Sequence, residues 1–252
     1  MKVKSLLRYP GGKTRAIKYL ETYLPSDIQH LVSPFFGGGS FEFSCISKGI
    51  SVSGSDIYKP LVSFWKTALT NANDLAQECA KWHPLSKQDF VHLQKIHEQQ
   101  QDDFLQASYF YVLNRASFSG TTASGGMSTN HPRWTASSID KLSNWKCNNL
   151  EICCETFETF IPRNSNHFMY LDPPYDLKNS SLYGNRGSTH RGFNHLLLRE
   201  VLDCVDRWVL SYNDNPEIRQ LYSDFEIVPL EWKYGMNSSK NSSEIIILKG
   251  NQ

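Results

Sequence analysis

No stretch of this 252-residue chain approaches the apolar length that a helix needs to span a bilayer. The opening segment, Met1-Lys2-Val3-Lys4-Ser5-Leu6-Leu7-Arg8, is too short in its apolar part to be read as a signal peptide. Metal-ligand spacing is missing as well. The six cysteines stand at 45, 79, 147, 153, 154 and 204, with no Cys-x-x-Cys pair and no histidines at zinc spacing. They read as reduced, mostly buried thiols of a cytoplasmic protein, and no metal is expected. An excess of one charge is absent too: 26 Lys and Arg against 25 Asp and Glu leave a net +1. Composition therefore does not announce a nucleic-acid binder, and a polyanion partner would need a local basic patch. Internal repeats are lacking. What remains is 40% hydrophobic and 20% charged, enough for a sizeable core. One α/β domain with an insertion, or two small domains, both fit.

The most informative stretch is Tyr170-Leu171-Asp172-Pro173-Pro174-Tyr175, which follows Phe168 and Met169. It reads as a buried strand ending in a rigid polar tip, because the prolines fix φ and cannot donate backbone hydrogen bonds. Asp172 and Tyr175 would then stand at the carboxyl end of a strand, where open α/β sheets keep their ligand crevices. Asp172 and the Pro173 carbonyl could accept the hydrogens of a planar amine, with Tyr175 stacked on its ring. Taken alone, the tetrapeptide is equally a strand-to-loop exit.

Upstream, Arg8-Tyr9-Pro10-Gly11-Gly12-Lys13-Thr14 precedes a helix expected over Arg15–Tyr23. Its end imitates a P-loop, but the required first glycine falls on Leu7. A glycine-hinged loop with one cation and one aromatic remains. Next come a strand, Leu31–Phe36, the turn Gly37-Gly38-Gly39, a helix from Ser40 with Ser40 as its N-cap, and a strand, Ile50–Ser55, ending on Asp56. The glycines permit close backbone approach by a ligand, and an acid about 20 residues beyond them can accept ribose hydroxyls. The missing Gly-x-Gly-x-x-Gly spacing favours a nucleoside ligand over a pyrophosphate cofactor.

From Lys59 the texture becomes helical: Leu61, Val62, Phe64, Trp65 and Leu69 recur at helical spacing, and helices are expected over Ala72–Trp82, Ser86–Gln100 and Asp102–Asn114. This block interrupts the strand–helix alternation and reads as an insertion. It ends in residues 114–134, rich in Gly, Ser and Thr with Arg115, Phe118, Met127, Arg133 and Trp134 interspersed, which suits an exposed hairpin or loop that meets a partner. After a helix Ser137–Trp145, strands return at Leu150–Cys154 and His167–Leu171. A long polar loop, Asn179–Phe193, reads as a lid; a helix His195–Cys204 and strands Trp208–Tyr212, Phe225–Trp232 and Glu244–Lys249 close the chain.

Arg-Tyr-Pro-Gly-Gly-Lys (8–13), Pro-Phe-Phe-Gly-Gly-Gly-Ser (34–40), Asp56, Asn114-Arg115 with Phe118 and Gly120, and Asp-Pro-Pro-Tyr (172–175) occur in an order that resembles the Dam-like (D12 class) DNA adenine-N6 methyltransferases. The resemblance covers nearly the whole chain. It implies a Rossmann-like sheet binding S-adenosylmethionine, formed by residues 1–57 and 149–252, with an inserted helical target-recognition domain at 58–148. By position, Tyr9, Gly12 and Lys13 would contact the cofactor, and Phe36, Gly37, Gly39 and Ser40 would shape its methionine and ribose pocket. Asp56 would bind the ribose, and Glu155 and Phe157 would flank the adenine. Asp172 would line both cofactor and target, and Asp172, Pro173, Pro174 and Tyr175 would form the catalytic edge. Ser211-Tyr212-Asn213 resembles the later strand tip near that pocket.

Arg115, Phe118 and Arg133 are the candidate DNA contacts, with Arg186, Arg191 and Lys240 as further cations. The implied partner is double-stranded DNA, with or without a cognate endonuclease sharing the site, and the expected state is a monomer or weak dimer. One departure matters: Ala123 stands where many relatives carry an Arg, so the site need not be GATC. Cytosine-N4 or RNA amino-methylation, and a catalytically silent DNA-binding module, are the alternatives.

Overall fold

The structure, a computed structural model, describes residues 2–122, 125–128, 133–175, 193–233 and 241–250, with side chains at 231–233 and 241–243 outside the description. Seven strands form one sheet in the order β3-β2-β1-β4-β5-β7-β6. They are β1 (His30–Ser33), β2 (Ser51–Ser55), β3 (Leu150–Cys153), β4 (Phe168–Leu171), β5 (Trp208–Asn213), β6 (Glu226–Lys233) and β7 (Asn241–Lys249). Strands β1 to β5 pair in parallel, and β7 is antiparallel to both β5 and β6. All four residues of β4 and the last three of β1 are buried, as strands covered on both faces must be. Successive connections reverse their direction between β1 and β4, which is where a doubly wound sheet opens a crevice.

Alternation along the strands sorts the core into two clusters. On one face Leu31, Tyr170, Val209 and Ile246 join the helix α2 (Ser40–Ser47) and the block α3 (Lys59–Ala80), α4 (Lys87–Ile96), α5 (Asp103–Ala116) and α6 (Ala136–Ser143). On the other, Val32, Met169, Leu171 and Leu210 pack with α7 (Phe157–Arg163), α8 (His195–Val201) and α9 (Pro216–Leu221). The helical block thus shares a continuous apolar core with the sheet. Its own packing is aromatic: the Phe64 ring of α3 stacks on Tyr111 of α5 at 5.1 Å, and the Tyr111 hydroxyl donates to the Ser138 carbonyl of α6 at 2.9 Å. Asp102 caps α5, Ser86 caps α4, and Thr135 with Ser138 forms a capping box on α6.

Several sequence expectations shift in detail. The apolar stripe from Leu61 and the helix expected at Ala72–Trp82 are one helix, α3, broken locally at Asn71 (φ −138°, ψ 44°). The helix expected at Arg15–Tyr23 shrinks to α1 (Ile17–Leu20) and a single 3₁₀ turn, Glu21–Tyr23. Strand β1 stops at Ser33 because Pro34 has no N–H for the ladder. Gly39, not Ser40, takes the cap position of α2, at φ +65°; a Cβ there would lie 2.7 Å from the Phe36 and Phe43 rings. Helix α9, capped by Asn215 with Pro216 behind it, had no counterpart in the sequence reading. The lid expected at Asn179–Phe193 lies, Phe193 apart, outside the described residues, as do Arg186, Arg191, Lys240 and Ala123. Among the described residues, no helix is long and apolar enough to cross a membrane.

Candidate active site

The carboxyl ends of β1, β2 and β4 open into a cavity of about 550 Å³. Its wall includes Tyr9, Gly12, Lys13, Phe36, Gly37, Gly39, Ser40, Asp56, Glu155, Phe157 and Asp172, together with Pro173, Pro174 and Tyr175. Every residue expected at the cofactor and catalytic positions therefore borders one space.

At its polar end, Lys13 is the hub. Its Nζ stands 3.0 Å from Asp172 Oδ1 and 3.7 Å from Glu244 Oε2, and it donates to the Tyr175 hydroxyl. The same Nζ lies 4.5 Å from the Tyr175 ring centroid. Ser211 Oγ donates to Asp172 Oδ1 at 2.9 Å, fixing the carboxylate from behind. Burial by itself would release the Lys13 proton, but the carboxylates of Asp172 and Glu244 outweigh it and hold the ammonium above its ordinary range. Burial drives the Tyr175 phenol well above its usual value, and the Asp172 and Glu244 charges add to this, so it remains a neutral hydroxyl.

Toward the other end, Asp56 leaves β2 with each oxygen accepting one backbone N–H, from Gly37 and from Tyr58, both at 2.9 Å. Those two bonds orient the carboxylate and leave lone pairs for further donors. The next residue, Ile57, is 62% exposed, and Phe35, Phe157 and Phe193 form a ring trio with centroids 5.4–5.8 Å apart. An acid flanked by an exposed aliphatic chain and aromatic rings suits a ribose joined to a flat base. Glu155 is ion-paired to Arg163 at 3.0 Å, with its Oε2 buried and without a hydrogen-bond partner. The glycine turn has a second duty: a Cβ at Gly38 would come 2.6 Å from Tyr9 Cβ, so the turn is bare partly to let the N-terminal loop lie across it.

Two buried cavity acids escaped the sequence reading. Glu42, on α2, is 3% exposed and accepts from Ser33 Oγ at 2.7 Å; burial pushes its carboxyl up to about 7, against the Ser33 hydrogen bond. The available signal was its setting among Phe41, Phe43, Cys45 and Ile46, opposite the partly exposed face that Ser40, Ser44 and Ser47 give α2. Glu244, on β7, is 8% exposed, and burial raises its carboxyl while Lys13 opposes the rise. Nothing local marks it, because its neighbourhood exists only through the pairing of Glu244 with Asn213 across β5 and β7.

Arg115, Phe118 and Arg133 do not border the cavity. They gather instead around Arg8, the residue before Tyr9. Asn114, buried on α5, brackets the Arg8 peptide, accepting from its N–H at 3.2 Å and donating to its carbonyl at 2.8 Å. Arg115 donates to the Leu6 carbonyl at 3.5 Å and the Arg133 carbonyl at 3.4 Å. Partial burial, with Arg133 and Arg115 close by, lowers the Arg8 pKa, which marks a local concentration of positive charge. Beside it Phe118 is 68% exposed, next to Ser119 at φ 55°. Arg8 was not among the expected DNA contacts; only the Asn114 bracket brings it to this surface.

The chain matches the family described as D12 class N6 adenine-specific DNA methyltransferase over residues 9–236. It is 26% identical to the type II methyltransferase M.CviBI of Paramecium bursaria Chlorella virus NC1A, covering 92% of this chain and 91% of the relative. The retron Ec67 DNA adenine methylase of Escherichia coli is 25% identical, with 98% and 92% covered. A DNA adenine methylase of Vibrio cholerae is 24% identical over 69% of this chain and 66% of its own. The family match takes in both ends of the cavity and the whole helical block, and on that span the chain belongs to the D12 class N6 adenine-specific DNA methyltransferases, with S-adenosylmethionine as the methyl donor.

Proposed function

We propose that the cavity binds S-adenosylmethionine along the β1–β2 edge and receives a flipped adenine at the Asp172–Tyr175 tip. The observation that carries this is the Lys13 ammonium seated 3.0 Å from Asp172, which shows a nitrogen donor accommodated at the wall of a cavity continuing to Asp56. The residues fit the cofactor. About 550 Å³ is within the usual range for small-molecule sites. Asp56 retains acceptor capacity for ribose hydroxyls, Ile57 and Phe157 offer apolar surface to the adenine, and Tyr9, Gly12, Lys13, Phe36, Gly37, Gly39, Ser40 and Glu155 complete the wall. When bound, the cofactor supplies an electrophilic sulfonium methyl.

The chain's own groups do the rest. An exocyclic amine is a weak nucleophile because its lone pair is delocalised, and in a duplex it is out of reach. Extruding the base costs roughly a few kcal/mol. Stacking on Tyr175 returns on the order of 1–3 kcal/mol. Asp172 and the Pro173 carbonyl accept the N6 hydrogens, favouring a pyramidal amine whose lone pair points at the methyl, and Pro174 stiffens the tip. Positioning for direct in-line transfer supplies much of the acceleration. Asp172 need not be a strong base, since the amine becomes acidic as the methyl arrives. Residues 58–148 serve as the target-recognition domain on the 1–57 and 149–252 methyltransferase domain. Arg8, Arg115 and Arg133 face phosphates or base edges, and Phe118 is the apolar contact. The target is a short specific duplex sequence that need not be GATC.

The test is transfer of labelled methyl from S-adenosylmethionine to unmethylated duplex DNA, with a nucleoside digest read by mass spectrometry. N6-methyladenine is expected, and Asp172→Ala should lower turnover by on the order of 10³-fold. No incorporation into any DNA, under conditions where the cofactor measurably binds, would overturn the reading. Sequencing DNA from a methylation-free host expressing the chain would identify the site.

A further inference from the structure

Lys13 occupies acceptors that the proposed reaction needs for something else. Its ammonium sits on Asp172 Oδ1 at 3.0 Å, donates to the Tyr175 hydroxyl and lies 4.5 Å from the ring centroid of Tyr175. A target amine hydrogen-bonded to Asp172 Oδ1 and stacked on Tyr175 would have to share that seat with a cation, and Oδ1 already accepts from Ser211 as well. The cation cannot simply be pushed aside. Lys13 is 7% exposed, and a buried ammonium stripped of its partner is strongly disfavoured.

A second acceptor is already in place. Glu244 Oε2 is 3.7 Å from the same Nζ, is buried, and makes no hydrogen bond. Antiparallel β7 brings it to the edge where β5 ends, opposite Asn213 and two residues from the register of Ser211, which backs Asp172. A shift of Nζ by about 1 Å would turn that long ion pair into a charge-assisted hydrogen bond.

We infer that Glu244 is a positioning residue that receives the Lys13 ammonium as the target amine enters, freeing Asp172 to accept the amine. The inference rests on the reading of Asp172 as the amine's acceptor. The charge balance permits it: one cation serves two carboxylates in turn, and the arriving base is neutral. The titratable groups facing Glu244 are Lys13, Asp172 and Tyr175, and its carboxyl, raised by burial and by Asp172, is drawn toward ionisation only by Lys13. Bringing the ammonium closer therefore strengthens both partners.

The test is a kinetic double-mutant cycle in the full chain, with Glu244→Gln, Glu244→Asp, Lys13→Met and the Lys13→Met/Glu244→Gln pair. Turnover is read on unmethylated DNA and cofactor affinity by calorimetry. Glu244→Gln should lower kcat by on the order of 10-fold, leave cofactor affinity within about twofold, and be partly rescued by Glu244→Asp. In the Lys13→Met background the same substitution should cost less than about twofold, because no ammonium remains to be received. Equal turnover of Glu244→Gln and wild type, an equal loss with and without Lys13, or a parallel loss of cofactor binding would each overturn the inference. A wild-type chain that binds cofactor yet transfers no methyl group would instead overturn the underlying reading.

Discussion

At the carboxyl edge of the sheet Lys13, Asp172 and Glu244 gather into one largely enclosed charge cluster, whereas around the helical block the charged side chains stand outside an aromatic core. Lys13 is 7% exposed and held between Asp172 and Glu244, while Arg133 is exposed and Phe118 is itself 68% exposed. The difference reflects what each cation can bind. A buried charge needs a built-in partner, so any ligand at the sheet edge must compete for it. Surface guanidinium groups keep their hydration and remain available to phosphates, with an affinity that falls as salt rises. Under the proposed function chemistry and recognition are thus separated, and Asn114 joins the two regions through the Arg8 peptide, 106 residues away in sequence.

The comparison can be broken or sharpened in five places. Asp172→Ala should show the largest effect, the loss of turnover given above, with DNA affinity by fluorescence anisotropy unchanged within about twofold. Equal losses in both would mean that the two regions are not separable. Gly120→Ala strikes the junction itself. The residue has φ +75°, and a Cβ there would sit 1.9 Å from the Arg8 carbonyl oxygen. A destabilisation of about 2–4 kcal/mol is expected in urea melts, with DNA binding weakened alongside.

Glu42→Gln sharpens the sheet-edge half. Burial raises the carboxyl from 4.5 to about 7 in the native state. A carboxyl raised on folding contributes stability that is full below the unfolded value and is lost as pH rises through the folded one. The variant should therefore match wild type near pH 4 and exceed it near pH 8, by on the order of 1–3 kcal/mol in cofactor-free urea melts. A constant difference across that range would remove Glu42 as the titrating group. Phe118→Ala sharpens the other half. Stability should change by less than about 0.5 kcal/mol, as for an exposed side chain, while specific DNA affinity falls by roughly 1–3 kcal/mol. Arg133→Gln should do less, reducing the salt slope of DNA binding by about 1.

Much of this arrangement was legible beforehand because it is written in local backbone chemistry. Phe168 to Leu171 is an apolar run of strand length cut off by prolines, and strand β4 ends where Asp172 begins. Gly37 to Gly39 announced the turn, although Tyr9 and the rings of Phe36 and Phe43, rather than a ligand alone, set the close approaches there. Helix α2 moved its cap by one residue for the same steric reason. The break of α3 at Asn71 was not legible, since nothing in the neighbouring residues demands it. Arg115 looked like a free cation in sequence, yet its guanidinium donates to the main-chain carbonyls of Leu6 and Arg133.

By itself the sequence determined which strand ends in the Asp-Pro-Pro-Tyr tip, where the glycine turn and its acid lie, and that a helical block interrupts the alternation. Each follows from hydrophobic period, proline and glycine stereochemistry, and the order of motifs along the chain. Only the tertiary structure decided what those groups face. Lys13 meets Tyr175 across 162 residues, and Glu244 joins them because β7 runs antiparallel to β5 and returns the Glu244 side chain to the edge that β4 and β5 leave. Strand direction and pairing are properties of the closed sheet, so no local pattern around Glu244 could have named its partners.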